Sequence, residues 1–288
     1  MTQRKIIRAK SAGFCFGVKR AVETVQREVS RQADEPNKKI YTYGPIIHND
    51  YVVSSFEKQG VKVINSADDL EAISEGTVII RSHGVSRQVY RKLSDKGLRV
   101  VDATCPYVKK IHNIVAEQSS KGSYILIIGN DTHPEVEGIK GWVSGDVRVI
   151  SEKKEAMAFT ADPEQLICIV AQTTFNLNKF KDLVEIVSKK GYDILVLNTI
   201  CGATGERQRE ADKIASEVDV MIVIGDSRSS NTRKLFEICK AKCERTYHVQ
   251  TAEDLRPAWL TDIRSIGITA GASTPHNIIE EVQNKCQI

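Results

Sequence analysis

The chain has 288 residues, 41% of them apolar, which is enough for two or three domains with cores of ordinary size. Its formal net charge is +4, from 41 basic and 37 acidic residues that are interspersed along the sequence. This balance argues against a nucleic-acid-binding arm and is compatible with an anionic small molecule as ligand. No apolar run approaches 18 residues, so we expect no membrane span.

Short runs rich in valine and isoleucine recur along the chain and predict β-strands. In chain order these are KIIRA (5–9), KIYTYG (39–44), GTVIIRSHG (76–84), GLRVVDATC (97–105), SYILIIGN (123–130), LICIVAQTT (166–174), DILVLNTIC (193–201), DVMIVIGDS (219–227) and RSIGITAGAS (264–273). Between them, segments such as 17–30 and 86–97 carry apolar residues at helical spacing. Strands that alternate with helices predict an α/β chain with mostly parallel sheets. Continuous apolar character is typical of strands covered on both faces.

Three cysteines, one in each third of the chain, each end a strand-like run and open a helix-like segment. They are Cys15, Cys105 and Cys201. The spacing predicts three similar α/β lobes, each offering one thiolate to a shared centre. We assign residues 16–104 to the first lobe, 105–198 to the second, and 1–15 with 199–288 to the third.

The seven cysteines form an odd set in a chain too long to need disulfides, so we expect a reducing compartment, the cytoplasm. The N-terminus shows no signal-peptide pattern. Cys168, inside an apolar run, is expected in the core. Cys239 and Cys243 could share a helix face, but no nearby ligand completes a metal site, so we expect a structural or surface role. Cys286, near the end of the chain, is interpreted as incidental.

The three spaced cysteines differ from the other four because each lies at a turn. Gly13 and Gly17 flank Cys15, Pro106 follows Cys105, and Gly202 follows Cys201. Helix N-termini stabilise anionic thiolates, and the absence of CxxC pairs argues against a zinc ribbon. Three soft thiolates from distant points suit an iron–sulfur cluster with one open position. Spacing alone leaves buried structural cysteines as an alternative.

Polar residues gather at the carboxyl ends of the predicted strands, where parallel α/β sheets bind ligands. Besides the three cysteines they are His48, His83, His133, Glu135, Thr173, Thr174, Ser229, Ser230, Asn231 and Ser273. This placement predicts one polar cavity at a domain junction. Each residue also has a structural interpretation, since strand-end histidines are often simply satisfied and Ser or Asn often caps a helix.

Nine short sequence words carry a resemblance to a known family. They are GFCFGVKRAV, YGPIIHN, RSHGV, DATCPYV, HPEVEG, QTT, NTICGATGERQ, SSNT and GAST, in that order between residues 13 and 274. On these words the chain resembles the LytB family of 4-hydroxy-3-methylbut-2-enyl diphosphate reductases over essentially its whole length. One departure is the turn Asp226-Ser227-Arg228, where the family usually has Gly or Ser, then Lys, then Asn. This change could alter the loop before Ser229.

The resemblance implies a pseudo-threefold trefoil of three α/β lobes around one 4Fe–4S cluster per chain. Its ligands would be Cys15, Cys105 and Cys201, leaving one iron to bind the alcohol of the substrate. Two electrons and two protons would then remove the hydroxyl as water. The implied reaction converts (E)-4-hydroxy-3-methylbut-2-enyl diphosphate into isopentenyl and dimethylallyl diphosphate, the last step of the methylerythritol phosphate route to isoprenoids.

The resemblance also assigns roles to the strand-end residues. Glu135 is expected as the proton donor to the departing hydroxyl, with His133 in the proton network and Thr173 near that hydroxyl. Glu137 is interpreted as a solvated charge. The implied diphosphate and substrate contacts are His48, His83, His133, Thr173, Thr174, Ser229, Ser230, Asn231 and Ser273.

Electrons would arrive singly from ferredoxin or flavodoxin, and we find no second cluster motif and no flavin or NAD(P) motif. A monomer is the default expectation. The natural donor, the product ratio, the oligomeric state and the integrity of the fourth iron are not readable from sequence. Two other functions are weighed against this one: a three-cysteine cluster dehydratase without net reduction, and a phosphate-binding module with structural zinc.

Overall fold

The computed structural model describes residues 4–32 and 38–287 of the chain. The described strands are β1 (Lys5–Arg8), β2 (Ile40–Tyr43), β3 (Val61–Ile64), β4 (Thr77–Ile80), β5 (Arg99–Asp102), β6 (Tyr124–Ile128), β7 (Val147–Ile150), β8 (Ile167–Ala171), β9 (Ile194–Val196), β10 (Val220–Ile224), β11 (Thr246–Val249) and β12 (Ser265–Ala270). The described helices are α1 (Phe16–Gln32), α2 (Asp50–Glu57), α3 (Ala67–Glu71), α4 (Arg87–Asp95), α5 (Pro106–Ser120), α6 (Pro134–Lys140), α7 (Lys153–Ala158), α8 (Leu177–Ser188), α9 (Gly202–Ala215), α10 (Ser230–Lys242) and α11 (His276–Gln287). None of these helices combines the length and the apolarity needed to cross a membrane.

The chain divides into two compact units. The first comprises the described parts of Met1–Lys19, His48–Val52 and Cys201–Ile288, and the second those of Arg20–Ile47 and Val53–Ile200. The first unit contains one four-stranded sheet and the second contains two.

The sheet of the first unit has the strand order β1-β12-β10-β11, and all its pairs are parallel. Every residue of the central strand β10 is buried. Apolar side chains of α9 and α10, such as Ala211 and Leu235, pack with Met221 and Val223 on one face. On the other face α11 packs with Ile222. Coverage on both faces explains why these central strands read as continuous apolar runs.

The two sheets of the second unit have the orders β3-β2-β4-β5 and β7-β6-β8-β9, again with parallel pairs only. The central strands β4 and β8 are buried along their whole length. The predicted α/β class and the three parallel-stranded lobes are therefore confirmed. The arrangement of the lobes about a common cluster stays a prediction.

All three sheets share one connectivity. In each, the first strand in chain order lies between the second and the third, and the fourth follows the third at the edge, once β1 is counted as the last strand of the first unit's sheet. Strand order thus reverses between the first and third strands, the place where such sheets bind ligands. The predicted polar residues follow these two strands in every sheet, and the three cysteines follow the fourth strand.

The sequence runs identified nine of the described strands but not β3, β7 and β11. These three are the second strands of their sheets and lie at an edge. Their segments VKVI, VRVI and TYHV mix charged or polar residues with partly exposed positions, so they carry no continuous apolar run. Each sheet draws its strands from within one of the three predicted lobes, whose boundaries stay a prediction.

Candidate functional site

Two of the three spaced cysteines lie in the first unit, each at the start of a helix. Cys15 follows β1, and its carbonyl accepts a hydrogen bond from Lys19 N (2.9 Å) as α1 begins. Cys201 is the N-terminal cap residue of α9, and its carbonyl accepts from Thr204 N (2.8 Å). Both thiols are free and partly exposed. The positive end of a helix favours an anionic sulfur at such a position.

The third cysteine, Cys105, occupies the same position in the second unit. It caps α5, with Pro106 as the first helical residue and no side-chain capping bond. Its backbone N–H donates to Ser82 O (2.9 Å). The preceding turn is held by Arg20, whose guanidinium donates to Thr104 O (2.9 Å) and Asp102 O (3.1 Å). Cys105 is therefore a partly exposed thiol, outside any disulfide, on a fixed turn.

The other four cysteines are buried. Cys168 lies inside β8 and Cys239 inside α10, and burial raises the pKa of the first to about 11 and of the second to about 12. Cys243 packs in the same cluster as Cys239, as a structural role predicts. The interpretation of Cys286 as incidental is wrong, because this side chain is fully buried in the core beneath α11. Exposure and helix-start position thus separate the three candidate ligands from these four thiols.

Glu135 is the central ionisable group of the second unit. It lies in the first turn of α6 and is only 2% exposed. Its Oε1 accepts a hydrogen bond from Thr173 N (2.6 Å), and its Oε2 accepts one from Thr173 Oγ1 (2.7 Å). Burial raises the pKa of Glu135 even though both bonds from Thr173 favour the carboxylate. The carboxyl group therefore holds its proton to higher pH than an exposed glutamate.

His133 lies two residues before Glu135, and its ring contacts that of His83. His133 caps α6, and its Nδ1 accepts from Glu135 N (3.1 Å), so in the neutral ring the proton is on Nε2. The two imidazole rings meet edge to face, with centroids 5.4 Å apart. The exposed Glu137 lies one turn away from this group, as its interpretation as a solvated charge predicts. Glu135, Thr173, His133 and His83 are thus brought together, as the strand-end pattern predicts for this part of the chain.

Gln172 is a residue of this site that the sequence analysis did not assign. Its Oε1 accepts from Asn130 N (3.1 Å), and its Nε2 donates to Thr174 Oγ1 (3.2 Å). It joins the turn after β6 to the turn after β8, so Thr174 is supported from within the site. Its place in the word QTT was the available signal.

In the first unit the predicted diphosphate contacts lie at the start of α10 and after β12. Ser229 caps α10 and accepts from Thr232 N (3.4 Å). Asn231 and Ser273 are 3% and 6% exposed. Neither polar atom of the Asn231 side chain, nor Ser273 Oγ, has a hydrogen-bond partner among the described residues. Buried polar groups normally have partners, so these atoms point to a polar ligand.

The turn Asp226-Ser227-Arg228, which differs from the usual family sequence, forms an ion network. Asp226 accepts hydrogen bonds from Arg228 N (2.8 Å) and from Asp50 N (3.1 Å). The Arg228 guanidinium also contacts the carboxylates of Asp226 and Asp50. Burial opposes ionisation of Asp226, but these bonds outweigh it and lower the pKa. The network ties the turn to the segment that carries His48, which is partly exposed two residues before Asp50.

The predicted site residues thus fall into two sets. Cys15, Cys201, His48, Ser229, Ser230, Asn231 and Ser273 belong to the first unit, and Cys105, His83, His133, Glu135, Thr173 and Thr174 to the second. That both sets serve one cavity stays a prediction.

Comparisons with known proteins give one family. The model of the LytB protein family matches residues 6–287. A protein of Thermoanaerobacter sp. strain X514 named 4-hydroxy-3-methylbut-2-enyl diphosphate reductase is 46% identical, over 98% of this chain and 96% of the relative. One of the same name from Clostridioides difficile strain 630 is 44% identical, over 95% and 96%.

Solved structures agree with this result. A structure described as (E)-4-hydroxy-3-methyl-but-2-enyl diphosphate reductase, the terminal enzyme of the non-mevalonate pathway, is 42% identical, with a TM-score of 0.68 over 99% of both chains. The E-1-hydroxy-2-methyl-but-2-enyl-4-diphosphate reductase from Plasmodium falciparum is 28% identical, with a TM-score of 0.91 over 98% of this chain and 87% of the other. The match spans all three sheets and every strand-end residue described above, and the chain belongs to the LytB family.

Proposed function

We propose that this chain is a 4-hydroxy-3-methylbut-2-enyl diphosphate reductase. It would convert (E)-4-hydroxy-3-methylbut-2-enyl diphosphate into isopentenyl and dimethylallyl diphosphate, the final step of the methylerythritol phosphate route. The observation that carries the proposal is the buried Glu135–Thr173 pair in a LytB-family chain, because it provides a carboxyl group that retains its proton, in the helix turn capped by His133.

The donor set of the chain fits an iron–sulfur cluster. Cys15, Cys105 and Cys201 are partly exposed thiols at helix starts, whereas the other four cysteines are buried. Soft thiolates without CxxC pairs suit a 4Fe–4S cluster. The buried Nε of Arg207, an N–H donor with no partner among the described residues, belongs to a side chain whose leading electrostatic partners are Cys15 and Cys201. When bound by these three cysteines, the cluster would supply the two electrons of the reduction, one at a time.

The chain's own residues would bind and protonate the substrate. Ser229, Ser230 and Asn231 present hydroxyl and amide groups at the start of α10, where a helix N-terminus favours an anion such as diphosphate. Ser273, after β12, adds a further hydroxyl group. His48 and His83 would add imidazole donors.

The proton would come from Glu135. Loss of an allylic hydroxyl as water needs a proton donor, and burial keeps this carboxyl group protonated to higher pH. Thr173 Oγ1 contacts the carboxyl group directly and would orient the alcohol or a water beside it. His133, with its proton on Nε2, would complete the proton network.

Ferredoxin or flavodoxin is proposed as the electron donor, since single electrons are required. Seven cysteines, none of them in a disulfide, support a reducing compartment, and we infer a cytoplasmic location.

The test is an anaerobic assay of the diphosphate alcohol with dithionite and a viologen mediator. Reductant-dependent formation of both five-carbon diphosphates supports the proposal, and turnover without reductant indicates a dehydratase instead. Protein purified without oxygen should be brown and contain iron and acid-labile sulfide, whereas zinc alone would indicate a structural metal site. As a matched pair, Cys105→Ala should lose iron and Cys286→Ala, in the core, should retain it.

A further inference from the structure

Arg207 is a buried arginine that the assigned roles leave unexplained. It lies on α9, in the second turn after Cys201, and is only 5% exposed. Arginine is rarely buried unless it is paired. In the sequence it stands within NTICGATGERQ, a word that contributed only Cys201 to the candidate site.

The guanidinium joins two cysteine-bearing segments of the first unit. Its Nη2 donates to Gly13 O (2.7 Å), two residues before Cys15. Its Nη1 donates to Ala203 O (3.2 Å), two residues after Cys201. Gly13 has a φ of +102°, so this carbonyl is presented by a turn that favours glycine. Arg207 therefore fixes the Cys15 loop against the first turn of α9.

The charge of Arg207 has no carboxylate partner within salt-bridge distance in the described part of the chain. The groups that interact with it electrostatically are Cys15 and Cys201, and then Glu206 and Glu210. The Glu210 carboxylate is occupied by Lys10 N, Ser11 N and Ser11 Oγ. A buried unpaired cation is costly unless an anion completes the site.

One N–H of the guanidinium is also unused. The Nε atom is buried and has no hydrogen-bond partner among the described residues. Each of the other two nitrogen atoms donates to a carbonyl, so the group combines a fixed orientation with a spare, buried donor at Nε. Such a donor beside thiolates can bond to sulfur, and hydrogen bonds to sulfur tune the potential of a cluster.

We propose that Arg207 is a positioning residue for the iron–sulfur centre: it holds the Cys15 loop beside the start of α9 and supplies a positive charge and an N–H donor to the sulfur atoms there. The proposal rests on the proposed function for the identity of the centre. The holding role, in contrast, is a property of the chain without a cluster.

The holding role is tested first, on cluster-free protein, by hydrogen exchange of the amides in residues 12–16. Cys15 N donates to Ala272 O (3.2 Å) and so reports on the loop. Arg207→Met and Arg207→Lys should both exchange at least fivefold faster there, because neither side chain reproduces the two-pronged guanidinium contact. Arg209→Met, at an exposed position on the same helix, is the matched control and should be unchanged. Unchanged exchange in both Arg207 variants would overturn the holding role.

The electrostatic role is tested on anaerobically reconstituted protein by a redox titration followed by electron paramagnetic resonance. A nearby positive charge stabilises the more negative, reduced state. Arg207→Met should therefore lower the equilibrium constant for one-electron reduction at least tenfold, a downward shift of about 59 mV. Arg207→Lys keeps the charge, so its equilibrium constant for reduction should stay within threefold of the wild-type value. The control Arg209→Met should have the wild-type value.

The outcomes separate this proposal from the proposed function. A wild-type protein that takes up no iron and sulfide refutes the proposed function, while the exchange result still decides whether Arg207 holds the loop. An Arg207→Met protein with full iron content and an unchanged potential overturns the electrostatic role. If Arg207→Met does not fold by circular dichroism, Arg207→Lys decides: fast exchange with a retained potential supports the proposal, and wild-type exchange refutes it.

Discussion

The Glu135 pocket of the second unit and the Asn231 region of the first are both buried and polar, but they differ in how their polar atoms are satisfied. Both carboxylate oxygens of Glu135 are occupied by Thr173. Both polar atoms of the Asn231 side chain lack a partner among the described residues. A buried polar group without a partner costs about 1–3 kcal/mol.

This difference indicates two roles, proton transfer for the first region and ligand binding for the second. The Glu135 carboxyl group has both oxygens hydrogen-bonded without a ligand, and it controls where a proton resides. The Asn231 region is complete only with a ligand, which supplies the missing hydrogen bonds. Substitutions in the first should change turnover, and substitutions in the second should change binding.

The largest effect is expected for Glu135→Gln. The amide keeps the shape of the side chain and can still accept from Thr173 N, but it cannot donate a proton to the leaving hydroxyl. Turnover should fall by about 100-fold or more, with KM and iron content near wild type, in the anaerobic viologen assay. The exposed Glu137→Gln is the control. Near-wild-type turnover in Glu135→Gln would remove the distinction between the two regions.

A smaller effect, on KM rather than on turnover, is expected for Asn231→Ala. Hydrogen bonds to a charged ligand contribute about 1.5–3 kcal/mol, so KM should rise roughly 10- to 100-fold with kcat little changed. Asn277→Ala, at an exposed position of the same unit, should behave as wild type. A fall in kcat at constant KM would contradict the binding role.

A weaker effect is expected for Arg228→Ala. The side chain is 54% exposed, and exposed ion pairs contribute only about 0–1 kcal/mol. Loss of its contacts should loosen the link between the Ser229 turn and the His48 segment, raising KM by up to about fivefold. Arg228→Lys should recover part of this loss. Equal KM values for all three proteins would show that the ion network does not support binding.

The smallest expected effect is on the pH dependence of folding stability. Burial raises the pKa of Glu135 above the ordinary glutamate value of 4.5. Its contribution to stability is therefore present below about pH 4.5 and is lost as pH rises through the folded-state pKa, because the folded protein must then ionise a buried group.

Glu135→Gln lacks this titration. Its melting temperature relative to wild type should rise between pH 5 and pH 8, by about 2–4 °C for each unit of raised pKa. Thermal melts of cluster-free protein measure this, with Glu137→Gln as the flat control. A constant difference across this range would mean that Glu135 titrates as an exposed carboxyl group.

Much of this architecture was accessible from sequence because central strands covered on both faces leave an unbroken apolar signature. All nine such runs are strands, and the polar residues that follow them do lie at the carboxyl ends of the sheets. The second strand of each sheet, at one edge, breaks this signature with residues such as Lys62 and Arg148, whereas the fourth strand, at the opposite edge, keeps a short apolar run. This is why β3, β7 and β11 were not predicted.

Of the site, the sequence marked the chemically distinctive residues but not those that hold them. The residues that hold the site are Gln172, Arg20 and Arg207. Each bonds to a backbone atom that is distant in sequence, and no spacing pattern predicts such contacts.

By itself the sequence determined the α/β class, the positions of the nine inner and fourth strands, the three helix-start cysteines and the residues of the Glu135 pocket, because apolar pattern and turn chemistry are local properties. Only the tertiary structure decided that β1 pairs with β12 to complete its sheet. It also decided that the Glu135 carboxyl group has hydrogen-bond partners while the Asn231 side chain lacks them, and that Arg207 bonds to Gly13. These depend on which distant backbone groups meet, and burial sets their energies only once the chain has folded.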